Sequence, residues 1–384
     1  MNVQPKSLRT ASCADDYDPN SMPVVKAREL IARFLTPVST IERLNIRAAL
    51  DRVLAADVVS PLDVPAHDNS AMDGYAVRYA NLGTDGEVTL RIVGAAFAGV
   101  PFQGQVRAGE CVRIMTGGVV PAGCDTIVMQ EHAAAKGDSV RIGGGHRQGQ
   151  HLRRAGEDLK TGQIALKRGL LLRPAEIGLI ASLGIGEVGV FRKLRVAFFS
   201  TGDELRSIGT PLGAGQIYDS NRYTIHGMLA RLGCEAIDMG VVRDDPKLLE
   251  QAFADAAAAA DVVITSGGVS VGEADFVKEL LERLGEVVFW KIAMKPGRPL
   301  AYGRIANAHF FGLPGNPVSV MVTFYQFVRE ALLKLAGRDP APPLPSFTVP
   351  CLSNLKKAPG RTEFQRGVLA QDASGNWSVR VTGE

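Results

Sequence analysis

Nothing in this chain pairs its cysteines. Cys13, Cys111, Cys124, Cys234 and Cys351 are scattered, odd in number and never spaced C-x-x-C. That argues for a reducing compartment and against a zinc ribbon or a disulfide framework. There is no H-E-x-x-H, so a zincin is excluded as far as motifs can exclude it. No apolar stretch reaches the roughly 18 residues a membrane helix needs. Aromatics make up only 6%, the net charge is +3, and long Lys/Arg runs are missing. A basic, base-stacking nucleic-acid surface is therefore not expected. Residues 1–22 are polar and carry Asp15, Asp16 and Asp18, which does not fit a secretory leader. The chain reads as cytoplasmic.

What is present is a globular composition, 46% hydrophobic and 22% charged over 384 residues. At roughly 150 residues per domain this length allows two to four domains. After the polar extension, 24–38 and 40–56 read as two helices separated by Pro37, and a Pro-rich stretch follows at 60–65. Between about 70 and 150, short alternating runs at 88–93, 111–115, 126–130 and 139–142 are punctuated by Gly and Pro, the signature of a β-rich domain. Gly143–Gly145 is read as a turn, because no Lys-Ser/Thr and no helix follow it. From 194 to 337 strands alternate with helices, the strands at 195–199, 236–242, 261–265, 287–293 and 309–312. This implies βαβ units and a mostly parallel sheet. A stiff Pro-rich linker at 339–345 leads to strands in 346–384.

Ligands of open α/β sheets bind beyond the carboxyl ends of the strands. All five expected ends are polar or rich in Gly and Pro: Ser200–Glu204, Arg243–Asp245, Ser266–Asp275, Lys295–Pro299 and Pro314–Ser319. Glu204, Asp244, Asp245 and Asp275 supply the hard oxygens Mg²⁺ prefers. The loop from Ser266 through Gly267, Gly268 and Ser270 can offer backbone N–H groups to phosphate. Lys291 and Lys295 share strand parity, so both are expected on one face, where two ammonium groups suit an oxyanion. Each of these residues alone could equally be a cap or a solvated charge; it is their coincidence at one edge that points to a site. The loop is no Walker A and no dinucleotide fingerprint. A further segment, Asp68–Val77, packs acids, an amide and a hydroxyl around Gly74. Its composition alone leaves a turn and a site equally open.

These segments resemble the molybdopterin molybdenumtransferase family, which includes the E domain of gephyrin. The motifs are DVPAHDNSAMDGYAV (63–77), RIMTGG (113–118), RRAGEDL (153–159), FSTGDEL (199–205), GQIYDSN (215–221), TSGGVSVGEADF (265–276), KPGRP (295–299), GLPGNPVS (312–319) and PGRTEFQRG (359–367). They follow the family's order from about residue 24 onward. The resemblance implies a multidomain α/β fold: a polar extension (1–22), an elongated helical domain (23–62 with 150–192), a β-rich domain (63–149), a molybdopterin-binding parallel-sheet α/β domain (193–338) and a C-terminal β domain (346–384). Relatives usually continue past the equivalent of Glu384, so this last domain is expected to be incomplete, with unpaired edge strands.

The reaction implied is insertion of molybdate into the dithiolene of adenylylated molybdopterin, with Mg²⁺-assisted release of AMP. Carried over by motif, Asp73, Thr116, Asp158, Glu204, Lys291 and Lys295 are the catalytic candidates. Ser266, Gly267, Gly268, Ser270, Pro314, Pro317, Ser319 and Arg366 bind substrate, and Asp244 and Asp275 hold the metal. The resemblance also implies a homodimer with a composite site, and molybdopterin adenylyltransferase as pathway partner. The competing reading is a non-catalytic molybdopterin-binding scaffold or carrier. A hydrolase built on the same α/β domain is disfavoured by the complete motif at 63–77.

Overall fold

The computed structural model describes residues 21–83, 86–267, 275–357 and 359–382, without the side chains of 275–278 and 289. Most of the polar extension thus lies outside the described residues. The chain divides into two compact units, one of 1–56, 168–177 and 187–384, the other of 57–167 and 178–186.

The first unit is built on a seven-stranded sheet in the order Ser21–Met22, Gly285–Ile292, Pro299–Ile305, Ala308–Leu313, Val262–Ser266, Arg195–Thr201, Glu235–Val242. All strands run the same way except 299–305, which is antiparallel to both neighbours. The central strands are continuous apolar runs because both faces are covered. Phe198 and Phe199 divide the two cores between them with the two-residue period of a strand. Phe198 packs with Ile264, Phe311, Met228 and Leu229 on one face, and Phe199 with Val263, Phe310, Leu249 and Phe253 on the other. The covering helices include Asn221–Arg231, Pro246–Ala259 and Asp275–Leu284. Asp245 caps the second of these, accepting from the backbone N–H groups of Lys247 and Leu248 ahead of a proline at the first turn.

Two expectations are corrected here. The 40–56 segment is not a helix: Ile41–Asn45 is a strand, antiparallel to Glu187–Phe191, and turns follow it. Ile41 and Leu44 satisfy helical spacing, but a five-residue ladder at Gly189 and its neighbours outweighs that weak local preference. With only Val24–Ala32 helical between residues 23 and 62, the expected helical domain is in good part short strand pairs. The strand 299–305 is an addition to the expected set. Beyond the sheet, Thr362–Glu363 pairs in parallel with Met294–Lys295, and Gly367–Gln371 forms an exposed hairpin with Trp377–Val381.

The second unit carries a six-stranded sheet in the order Thr126–Met129, Gly74–Val77, Glu110–Ile114, Val88–Ala96, Ser139–Ile142, Ala133–Lys136. It holds all four expected runs. Gly74 has a steric reason: a Cβ there would sit 2.0 Å from the Val128 carbonyl oxygen.

Candidate active site

In the second unit the 63–77 motif is braced by hydrogen bonds. The Thr116 backbone N–H and hydroxyl both donate to Asp73 Oδ1, each at 2.7 Å. These two bonds, with the Arg113 charge adding to them, hold the Asp73 carboxyl below its ordinary range. The pair of catalytic candidates that sequence places 43 residues apart is thus in direct contact. Asp158 lies in the same neighbourhood through Arg153, which ion-pairs with both Asp158 and Glu157. Leu152–Arg153 is itself paired to Asn69–Ser70. Asp68 accepts from the Ala155 N–H at 2.8 Å and from Arg154 at 2.7 Å, and Asp63 accepts from both the N–H and the hydroxyl of Thr161.

In the first unit the parallel strands bring five sets of candidates to one edge. The 195–201, 235–242, 262–266, 285–292 and 308–313 strands all end there. Asp244, just past the 235–242 strand, has its carboxyl raised above the ordinary range, first by burial and then by the charges of Asp203 and Glu204. An Asp203 backbone hydrogen bond opposes the shift and ties the two loops together. Glu204 folds over Gly202, where a Cβ would meet its Oε2 at 2.5 Å. Asp245, by contrast, is occupied as a helix cap.

Ser266 is buried at the end of its strand, and Gly267 follows with φ +92°, where a Cβ would strike the Thr201 carbonyl at 2.5 Å. Gly268 and Ser270 lie outside the described residues, as does the Asp275 side chain. Pro314 is buried, and Asn316 caps the Pro317–Thr323 helix, accepting from Val318 and Ser319 N–H and fixing the turn that leads to buried Ser319. Lys291 and Lys295 are both exposed, but not by simple parity. The 285–292 strand stops, Ala293 and Met294 are both buried, and Lys295 is placed by a second ladder with Glu363. That ladder continues as Phe364 N–H donating to the Lys295 carbonyl at 2.8 Å. It sets the segment that carries exposed Arg366, three residues past Glu363.

Reading strand ends overlooked the start of the 221–231 helix. Asp219, Asn221 and Arg222 are all buried there. Asp219 accepts from the Ser200 hydroxyl at 3.1 Å and from Arg222, which also binds Asp238 at 2.9 Å. Asn221 Nδ2 reaches Ser266 Oγ and the Gly315 carbonyl, both at 2.7 Å. The signal was in the GQIYDSN motif, which precedes a helix and follows no long strand.

Residues 22–184 match the family described as "MoeA N-terminal region (domain I and II)", and 197–334 match "Probable molybdopterin binding domain". A Haemophilus influenzae protein named molybdopterin molybdenumtransferase is 48% identical over 343 residues, spanning 89% of this chain and 84% of that protein. The chain belongs to the molybdopterin molybdenumtransferase family. A second member, from a Nostoc species, is 40% identical over 77% of this chain and 70% of its own length. Among solved structures, the molybdopterin biosynthesis protein of Pyrococcus horikoshii superposes with a TM-score of 0.81 at 28% identity, over 95% of this chain and 91% of that one. Another molybdopterin biosynthesis structure from Pyrococcus horikoshii gives 0.76 at 31% identity, over 95% of this chain and 90% of that one. The family's molybdopterin-binding segment coincides with the sheet whose carboxyl edge gathers Ser266, Asp244 and Ser319.

Proposed function

We propose that this protein is the molybdotransferase of molybdenum cofactor biosynthesis. It takes adenylylated molybdopterin and molybdate, places molybdenum on the dithiolene and releases AMP. Family membership supports the transfer, and the one local observation that carries the AMP-releasing half is the crowding of Asp244 by Asp203 and Glu204. A carboxyl raised by burial and by neighbouring negative charge at a sheet's carboxyl edge suits a divalent cation, and a cation suits a phosphoanhydride about to be cleaved.

Mg²⁺ fits this donor set in its chemistry. Among the described residues no three His, Cys, Asp or Glu side chains form a ready-made cage. Asp244, with Asp275 opening the neighbouring helix, would therefore hold the ion while water and substrate phosphate complete its shell, as Mg²⁺ prefers. Bound there, it would neutralise phosphoryl charge. The chain's own side chains do the rest. Ser266 and Gly267 receive the substrate at the strand end, Lys291, Lys295 and Ser319 present cations and a hydroxyl to the molybdate oxyanion, and Arg366 adds a planar donor. Asp73, anchored by Thr116, stays ionised as a base or charge stabiliser.

The same reading takes the protein as a cytoplasmic homodimer that receives its substrate from molybdopterin adenylyltransferase, its active site completed across two copies. Among the described residues no helix is long and apolar enough to cross a membrane. Incubating the protein with adenylylated molybdopterin, Mg²⁺ and molybdate tests the reaction: AMP should appear in step with molybdenum incorporation. Tight binding without AMP would establish the scaffold reading instead. Mixing Asp73→Asn with Asp244→Asn subunits should restore part of the activity; mixed dimers without recovery would overturn the shared site.

A further inference from the structure

Two buried polar atoms flank the Ser266–Gly267 dipeptide with no hydrogen-bond partner among the described residues: Asn221 Oδ1 and Thr201 Oγ1. Both residues are deeply buried, at 8% and 6% exposure. The orientation of the Asn221 amide is set by its surroundings, because the Gly315 carbonyl can only accept and so must face Nδ2. Both Nδ2 hydrogens are then committed, to Ser266 Oγ and to Gly315. The amide oxygen then has no partner among the described residues. Thr201 Oγ1 lies 3.1 Å from where a Cβ on Gly267 would be, so a side chain at 267 would cover it. An unsatisfied buried acceptor opposes folding, and two of them sit beside one bare glycine.

We propose that Asn221 Oδ1 and Thr201 Oγ1 form a recognition pair that reads the N–H edge of the substrate's heterocycle, the pterin. Asn221 Nδ2 meanwhile ties the ends of the 262–266 and 308–313 strands together. The pairing rests on the molybdopterin reading above. A pterin ring presents an exocyclic amine and a ring N–H side by side, which suits an amide oxygen with a hydroxyl beside it. The phosphate and adenosine parts offer acceptors or a different geometry, so the pair separates pterin binding from nucleotide binding.

Thr201→Val tests this without disturbing shape. It removes a hydroxyl that has no partner, so thermal stability should stay level or rise. Affinity for molybdopterin, titrated directly into the protein, should fall about tenfold, while AMP affinity stays unchanged. Asn221→Asp, which keeps an acceptor but loses both Nδ2 donors, should weaken molybdopterin and AMP together through the two loops. If wild type binds molybdopterin and Thr201→Val binds it equally, the recognition pair is wrong while the functional reading stands. If Thr201→Val loses AMP in the same proportion, general collapse explains the effect and the pair is again wrong. If wild type binds no molybdopterin, both ideas fall together.

Discussion

The carboxylates of the two units live under opposite conditions. In the β unit Asp63, Asp68 and Asp73 each accept a backbone N–H and a side-chain donor, and each is held below its ordinary range. In the α/β unit Asp244 is pushed up by burial and by the like charges of Asp203 and Glu204, and Thr201 Oγ1 and Asn221 Oδ1 have no partner among the described residues. These β-unit carboxylates are satisfied before any ligand arrives; Asp244 is built short of counter-charge. Groups that are already satisfied can orient and hold charge, whereas groups that are not gain most when something binds.

Exchanging the charge of Asp73 attacks the finished side. Asp73→Asn keeps volume and an acceptor for Thr116, so melting temperature should move little. AMP release should nevertheless drop by about 10²-fold or more if the charge is what matters. Activity within a few-fold of wild type would leave Asp73 as a brace for the Thr116 turn alone.

Asp244→Asn attacks the unfinished side, and the sign of its stability effect should reverse. Without Mg²⁺ the variant should melt higher than wild type, because a like-charge clash with Asp203 and Glu204 is gone. With Mg²⁺ it should lose the cation's stabilisation, with affinity down about tenfold or more. A variant that melts lower in both conditions would place Asp244 among the satisfied carboxylates and erase the contrast.

The smallest effect separates the units by acid. His309 is buried beside Tyr302, and burial pushes its imidazole down to about 4. The unfolded chain therefore binds a proton that the folded unit refuses between about 6.5 and 4. Stability of the α/β unit should fall as pH drops through that window, by at most about 1.4 kcal/mol per pH unit. The depressed aspartates of the β unit behave differently: their contribution is present above the unfolded value of 3.8 and is lost only as pH falls below it. His146, half-buried in that unit, is shifted down too, so the specific check is His309→Gln. It should flatten the acid slope of hydrogen exchange in the 262–313 strands and leave the 74–142 strands as they were. An unchanged slope would assign the acid response elsewhere.

How much of this was readable beforehand depended on whether the deciding partner was local. The central strands announced themselves because Val262–Ile264 and Phe310-Phe311 are apolar on both faces, and their polar ends followed. The 299–305 strand did not, since Gly303 and Arg304 break its apolar run. Gly303 is there because a Cβ would lie 2.1 Å from the Glu286 carbonyl, a neighbour distant in sequence. The Ile41–Asn45 strand likewise owes its conformation to residues 187–191. Asp73 and Thr116 were found by motif, but that one hydroxyl and one N–H both serve Asp73 Oδ1 needed coordinates. Asn221 was in plain view in GQIYDSN, yet nothing in its spacing tells that its amide oxygen goes unmet.

The reversed strand at 299–305 also divides the sheet's two edges by their tolerance for change in chain length. Its first residue leaves the candidate-site edge straight after Lys295–Arg298, where Ile292 N–H reaches back to the Arg298 carbonyl at 2.7 Å. Its last residue meets the turn at Ala306–Asn307 on the far edge, where Ala306 already adopts φ +51°. An insertion at the first turn would break the register that pairs Lys291 with Pro299 and the Ile292–Arg298 bond beside it. One at the second would only lengthen a surface turn between paired strands. Over evolutionary time, length variation should therefore accumulate at 306–307 and be purged at 295–298, one strand length away.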